Sequence, residues 1–211
     1  MIVLGLTGSI GMGKSTAAAM LRRLGCPVHD SDAAVHRLYA RGGAAVPVIE
    51  AAFPGAVKDG AVDRAALSAL VVHDPAAMDR LGHLVHPLVR GATRRFLYGA
   101  ARRRAKVAVL DVPLLLEAGR TIVVDAVLVV SAPGFVQRRR VLARPGMTEA
   151  KLQAILARQM PDREKRRRAD FVVPTGLGKR HSLMKLKKLL KLLSGRRSRV
   201  WPPKRGSWFH A

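Results

Sequence analysis

The chain has 211 residues, 49% of them apolar but only 4% aromatic, with a formal charge of +24 and a single cysteine, Cys26. That length suits one sizeable hydrophobic core with inserted subdomains better than two independent domains, and one cysteine excludes both an internal disulfide framework and a thiolate zinc site. The charge calls for an anionic partner, whether nucleotide, nucleic acid or acidic lipid. With no basic leader, no cleavage pattern and no apolar stretch of membrane-spanning length, a reducing cytoplasmic location is expected.

Ile2–Leu6 is an apolar run ending in Thr7-Gly8, which predicts a buried parallel strand. Next comes Gly8-Ser9-Ile10-Gly11-Met12-Gly13-Lys14-Ser15, a match to G-x-x-x-x-G-K-[ST], and a helix is predicted over Lys14–Leu24. Strand, loop and helix in that order are the context a phosphate-binding loop requires. Gly8, Gly11 and Gly13 let the backbone approach phosphate oxygens. The loop amides from Met12 to Thr16 then meet the anion at the positive end of the helix. Lys14 is expected to reach the β- and γ-phosphates, and the Ser15 hydroxyl to ligate a bridging Mg²⁺. The plain alternative is a glycine turn that only joins strand to helix.

Val28–Asp30 predicts a second strand, which places the carboxylates of Asp30-Ser31-Asp32 at the carboxyl edge of a parallel sheet. Asp32 there would orient an acceptor hydroxyl and take its proton; alternatively it caps a helix over 33–41. Residues 33–106 read as a helical insertion, punctuated by Gly42-Gly43, Pro54-Gly55, Asp74-Pro75 and His86-Pro87. Val107–Leu110, Ala126–Val130 and Phe171–Val173 complete five strands, hence a parallel α/β sheet flanked by helices. Asp111 closes the third of these, where a carboxylate would hold Mg²⁺ through water or simply end the strand in a turn. Residues 135–160 predict a helical hairpin broken at Arg144-Pro145-Gly146, with Thr148 as N-cap. Arg140 and Arg144, four apart, would share one face of it.

In the last helix Leu183, Leu186, Leu189, Leu190 and Leu193 lie opposite Lys185, Lys188 and Lys191. From Lys179 to Ala211 there are eleven Lys or Arg and no acid, with Trp201, Trp208 and Phe209 interleaved, and a basic disordered tail is expected over 194–211. That tail also admits a nucleic-acid or membrane contact, though no stable partner of either kind is expected.

The phosphate loop, Asp30-Ser31-Asp32 with His36, Leu84-Val85-His86-Pro87-Leu88-Val89-Arg90, and Asp111-Val112-Pro113-Leu114-Leu115-Leu116-Glu117 together resemble the dephospho-CoA kinase family. So do the pattern Gln137-x-x-Arg140-x-x-x-Arg144, then Gln159 and Ala169-Asp170-Phe171-Val172. The resemblance spans about residues 1–193. It implies a P-loop kinase fold with core 1–32, 107–134 and 161–193, an acceptor-binding insertion 33–106 and a lid 135–160. It also implies ATP- and Mg²⁺-dependent phosphorylation of the ribose 3′-hydroxyl of dephospho-CoA; a monomer or weak oligomer is expected. By the same resemblance Lys14, Asp32 and Arg140 are catalytic, and Arg144 and Thr175 bind ATP along with the loop. Asp32, His86, Arg90 and Asp111 face the acceptor. One departure is Pro174-Thr175-Gly176, where many family members carry an Asn, so recognition of the base falls to backbone groups or Thr175. Two rival readings remain: kinase of another small acceptor such as a nucleoside monophosphate, and a basic nucleic-acid-binding protein that carries a phosphate loop.

Overall fold

The computed structural model describes residues 1–117 and 123–203. It divides into two compact units, Met1–His29 with Ala100–Ala211, and Asp30–Gly99.

The first unit is built on a five-stranded sheet. Strand β1 (Ile2–Thr7) leads through the glycine loop into α1 (Lys14–Arg23), and β2 (Val28–Asp30) follows. Both match the sequence expectation closely, because a fully apolar strand and a helix with alanines on one face leave little ambiguity of period. The chain returns to this unit in β5 (Val107–Asp111) and β6 (Ala126–Ser131), and later in β7 (Phe171–Pro174). The sheet order is β2-β5-β1-β6-β7. Strand β1 runs parallel to both neighbours, with Leu4 opposite Val109 on one side and Ala126 on the other. Every residue of β1 and β5 is buried, as expected for central parallel strands covered on both faces. Chain order reverses about β1, so its carboxyl end opens onto the crevice where such sheets hold ligands.

Helices α6 (Gly134–Leu142) and α7 (Glu149–Ala157) form the expected hairpin, and the Thr148 hydroxyl caps α7 by accepting from Lys151 N. A short helix α8 (Asp162–Arg168) precedes β7, and α9 (Lys179–Ser194) closes the unit. Leu186, Leu189 and Leu193 are buried in the core with Leu4, Leu6 and Leu128, while Lys185, Lys188 and Lys191 face outward. The leucine stripe of α9 is thus spent on the core.

After α9 the chain runs through 195–203 without a helix or strand. Asp125, at the start of β6, accepts hydrogen bonds from Ser198 Oγ, Arg199 N and Val200 N at 2.6–3.1 Å and from Val3 N at 2.7 Å. One carboxylate satisfies four donors there, which outweighs the local polarity. Trp208 and Phe209 lie outside the described residues.

In the second unit, α2 (Ser31–Tyr39), α3 (Val46–Ala52), α4 (Arg64–Val71) and most of α5 (Pro75–Arg102) pack around Ile49, Phe53, Leu67 and Val85. The sequence reading made this stretch wholly helical. It contains a two-stranded hairpin, β3 (Val57–Lys58) with β4 (Ala61–Val62). Its turn is Asp59-Gly60, both at positive φ (51° and 74°), the backbone that a two-residue hairpin turn favours. With two residues per strand there is no alternation to detect, and the Asp-Gly pair was the signal.

Candidate active site

The loop after β1 takes left-handed backbone at Gly11 (φ 75°) and Gly13 (φ 90°). A Cβ on Gly11 would lie 2.6 Å from Val141 Cγ2, and one on Gly13 would lie 3.1 Å from Thr175 Oγ1. Both glycines are therefore favoured by their left-handed backbone, and Gly11 by space as well. Helix α1 begins at Lys14 with no side-chain cap. Its first amides have no intrahelical partner and face the positive end of the helix dipole, a ready anion site.

Lys14 Nζ lies 2.7 Å from Asp111 Oδ1. Asp111 is the last residue of β5, in register with Leu6 of β1, so the two strands bring it beside the loop. Lysine and carboxylate, predicted separately for phosphate and for metal, meet in one ion pair. Arg140, on α6, donates from Nη1 to Thr175 Oγ1 (3.0 Å) and from Nη2 to Thr175 O (2.7 Å). The Thr175 hydroxyl spends its single proton on Met12 O at 2.8 Å. Thr175, expected with backbone groups beside the nucleotide, lines the cavity, and its hydroxyl also braces the loop against the arginine. Arg144 sits just past the end of α6 and, with Arg140, Gln159, Thr175, Lys179 and the loop, lines a cavity of about 440 Å³.

Asp32 is exposed in the first turn of α2. The capping role weighed for it belongs to Asp30, whose carboxylate accepts from Ala33 N at 2.9 Å, so Asp32 is left with no cap to make. His36 Nε2 lies 2.9 Å from Arg64 Nη1. Arginine only donates, so this nitrogen accepts and the ring carries its proton on Nδ1. Within the second unit His86 borders a cavity of about 570 Å³ with Val35, Tyr39 and His83. Arg90 does not line it. The Arg90 Nε is buried with no hydrogen-bond partner, an arrangement that suits an anionic guest.

Sequence reasoning gave no role to Glu117 beyond its place in a motif. Its Oε1 accepts from Met160 N (2.9 Å) and pairs with Lys165 Nζ (2.8 Å), and Lys165 is wholly buried on α8. Burial pushes the Glu117 carboxyl up, but Lys165 and the Met160 amide outweigh it and hold the group below its ordinary 4.5. A depressed carboxyl adds stability above its unfolded value and loses it as pH falls through the folded one. Glu117→Gln should therefore destabilise the protein at pH 7 by about 3 kcal/mol, by stranding a buried ammonium. Urea midpoints should show the gap from the parent closing below pH 4.5; a gap that is constant with pH would dismiss the pair. Cys26 is buried with its thiol pushed up to about 11, so it stays protonated and unreactive at neutral pH.

Would the implied metal fit? Ser15 and Asp111 supply hard oxygen donors beside the loop, the kind Mg²⁺ prefers. Among the described residues no three His, Cys, Asp or Glu gather into a cage. That agrees with an ion held mainly by substrate phosphates and water.

A phosphate loop whose lysine meets a strand-end carboxylate, roofed by an arginine-bearing hairpin on a parallel sheet, puts the chain among the P-loop kinases of small molecules. The profile of one such family, dephospho-CoA kinase, matches residues 2–177. The chain belongs to the dephospho-CoA kinase family. It is 57% identical over 197 residues to the dephospho-CoA kinase of Mesorhizobium japonicum, covering 93% of this chain and 99% of that one. The crystal structure of TT1252 from Thermus thermophilus superposes with a TM-score of 0.78 at 39% identity over 92% of this chain and 98% of that one. The dephospho-CoA kinase from Campylobacter jejuni, at 20% identity and a TM-score of 0.61 over 92% and 98% of the two chains, shares the fold. No helix among the described residues is long and apolar enough to cross a membrane.

Proposed function

We propose that this chain works in the cytoplasm, transferring the γ-phosphoryl group of ATP to the ribose 3′-hydroxyl of dephospho-CoA to give CoA and ADP. The observation that carries the reading is the meeting of Lys14 and Asp111 at 2.7 Å at the mouth of a loop where two glycines hold left-handed backbone. Lys14 would exchange its carboxylate for the β- and γ-phosphates as nucleotide arrives, and Asp111 would then serve with Ser15 as an oxygen donor for the metal. Ser15 and Asp111 would hold Mg²⁺, which would supply charge neutralisation for the transfer.

Arg140 and Arg144 face the same cavity and offset the charge that gathers on the transferring group. A closed hairpin keeps water from competing with the acceptor. Asp32 orients the acceptor hydroxyl and takes its proton as the new P–O bond forms and the bond to the ADP oxygen breaks. Arg90, with its buried unpaired Nε, suits the diphosphate of the acceptor, and His86 lies on the same helix.

The test is coupled ADP release with a panel of acceptors: dephospho-CoA, AMP, CMP and RNA. Turnover should require dephospho-CoA. Stimulation by a nucleoside monophosphate or RNA and none by dephospho-CoA would overturn the reading.

A further inference from the structure

Two glutamines of the hairpin, conspicuous in the sequence and unused by the chemistry above, hold the backbone N–H and C=O of one residue of the phosphate loop, Ile10, and so two successive peptide groups. Gln137, on α6 and only 8% exposed, donates from Nε2 to Ile10 O at 2.7 Å. Gln159, just beyond α7, accepts from Ile10 N through Oε1 at 3.1 Å. These assignments are forced, since a backbone carbonyl needs a donor and a backbone N–H an acceptor. The next two carbonyls of the loop are also held. Arg140 Nη1 approaches Gly11 O at 3.4 Å, and Thr175 Oγ1 donates to Met12 O at 2.8 Å. Helix α6 packs directly on this stretch: a Cβ on Gly11 would meet Val141 Cγ2 at 2.6 Å and Gln137 O at 3.0 Å.

The consequence follows from peptide geometry. A trans peptide is planar, so the C=O of one residue and the N–H of the next point in opposite directions. Drawing Ile10 O toward Gln137 turns the Gly11 N–H the other way, and drawing Met12 O toward Thr175 does the same for Gly13 N–H. Amides aimed in advance at developing phosphate charge stabilise it without reorganising during the reaction.

We infer that Gln137 and Gln159 are positioning residues for nucleotide binding and phosphoryl transfer, acting as a clasp on the backbone N–H and C=O of Ile10 through which the lid hairpin sets the shape of the phosphate loop. The clasp rests on the P-loop kinase reading but not on the identity of the acceptor.

The experiment measures calorimetric affinity for a non-hydrolysable ATP analogue with Mg²⁺, and kcat and KM with dephospho-CoA, on the full chain. The variants are Gln137→Met, Gln159→Met, their double variant, Gln137→Glu and Gln159→Glu. Each Met variant should lose about tenfold in nucleotide affinity or in kcat/KM for ATP, with KM for the acceptor within twofold of the parent. Because both side chains fix the backbone of the same residue, Ile10, the two changes are coupled and the double variant should lose little more than either single one. Gln159→Glu keeps an acceptor for the Ile10 N–H and should outperform Gln159→Met. Gln137→Glu sets carboxylate against carbonyl and should do no better than Gln137→Met.

A purely structural role would shift the urea midpoint but treat the two Glu variants alike, and that result would overturn the clasp. So would Met variants within twofold of the parent, or losses that multiply in the double variant. A parent that binds the analogue tightly but ignores dephospho-CoA would sink the acceptor assignment alone, and the affinity series would still decide the clasp.

Discussion

Lys14→Ala should fold normally and turn over roughly a thousandfold more slowly than the parent. The side chain is the one ammonium that the loop brings to the mouth of the cavity, and its present partner, Asp111 Oδ1 at 2.7 Å, marks where cationic charge is already balanced by the protein. A transferring phosphoryl group carries its charge on three outer oxygens, and a cation fixed beside them acts in a site drier than bulk water. Alanine removes that charge and leaves the glycine backbone untouched, so nucleotide affinity should fall less than turnover does. Steady-state rates with dephospho-CoA, beside a circular dichroism spectrum matching the parent's, provide the measurement. A loss of only a fewfold would mean that the loop amides and the metal do the neutralising without the lysine.

Asp32→Asn should lower kcat by a factor of about 10² to 10⁴ while KM for the acceptor changes little. Asparagine keeps the shape and a hydrogen bond to the acceptor hydroxyl, but it cannot take up the proton. The position is favourable for such a test because Asp30 already caps α2, so the substitution removes no cap and the helix should survive intact. Near-normal turnover would transfer the catalytic weight to in-line positioning, with the proton leaving to solvent after the transfer.

Much of this was legible in the residues. The glycine loop and its flanking strand and helix declare themselves because phosphate binding allows so few alternatives at Gly11 and Gly13, where the backbone is left-handed. The five strands were legible because a buried parallel sheet writes continuous apolar runs. What the sequence concealed was of three physical kinds. A glutamine in a helix reads as a solvated residue, so nothing local announces that Gln137 reaches a carbonyl 127 positions away. Two carboxylates in the run Asp30-Ser31-Asp32 are equally able to cap, and which one does depends on where the strand ends, a one-residue matter. Nothing local announces that the Thr175 hydroxyl meets Met12, Ser131 and Arg140, because all three are distant in the chain.

The bonds around Asp125 have a consequence for the topology of the molecule. The same carboxylate takes the amide of Val3 and the hydroxyl and amides of residues 198–200. The opening strand and the segment after the final helix are thereby fastened at a single knot. The fold is in effect a ring: a short linker could lead from the segment after Val200 back to Ile2, which keeps the Ile2–Val107 pairing, and the polypeptide could begin instead at an exposed turn outside the β3–β4 hairpin such as Pro54-Gly55.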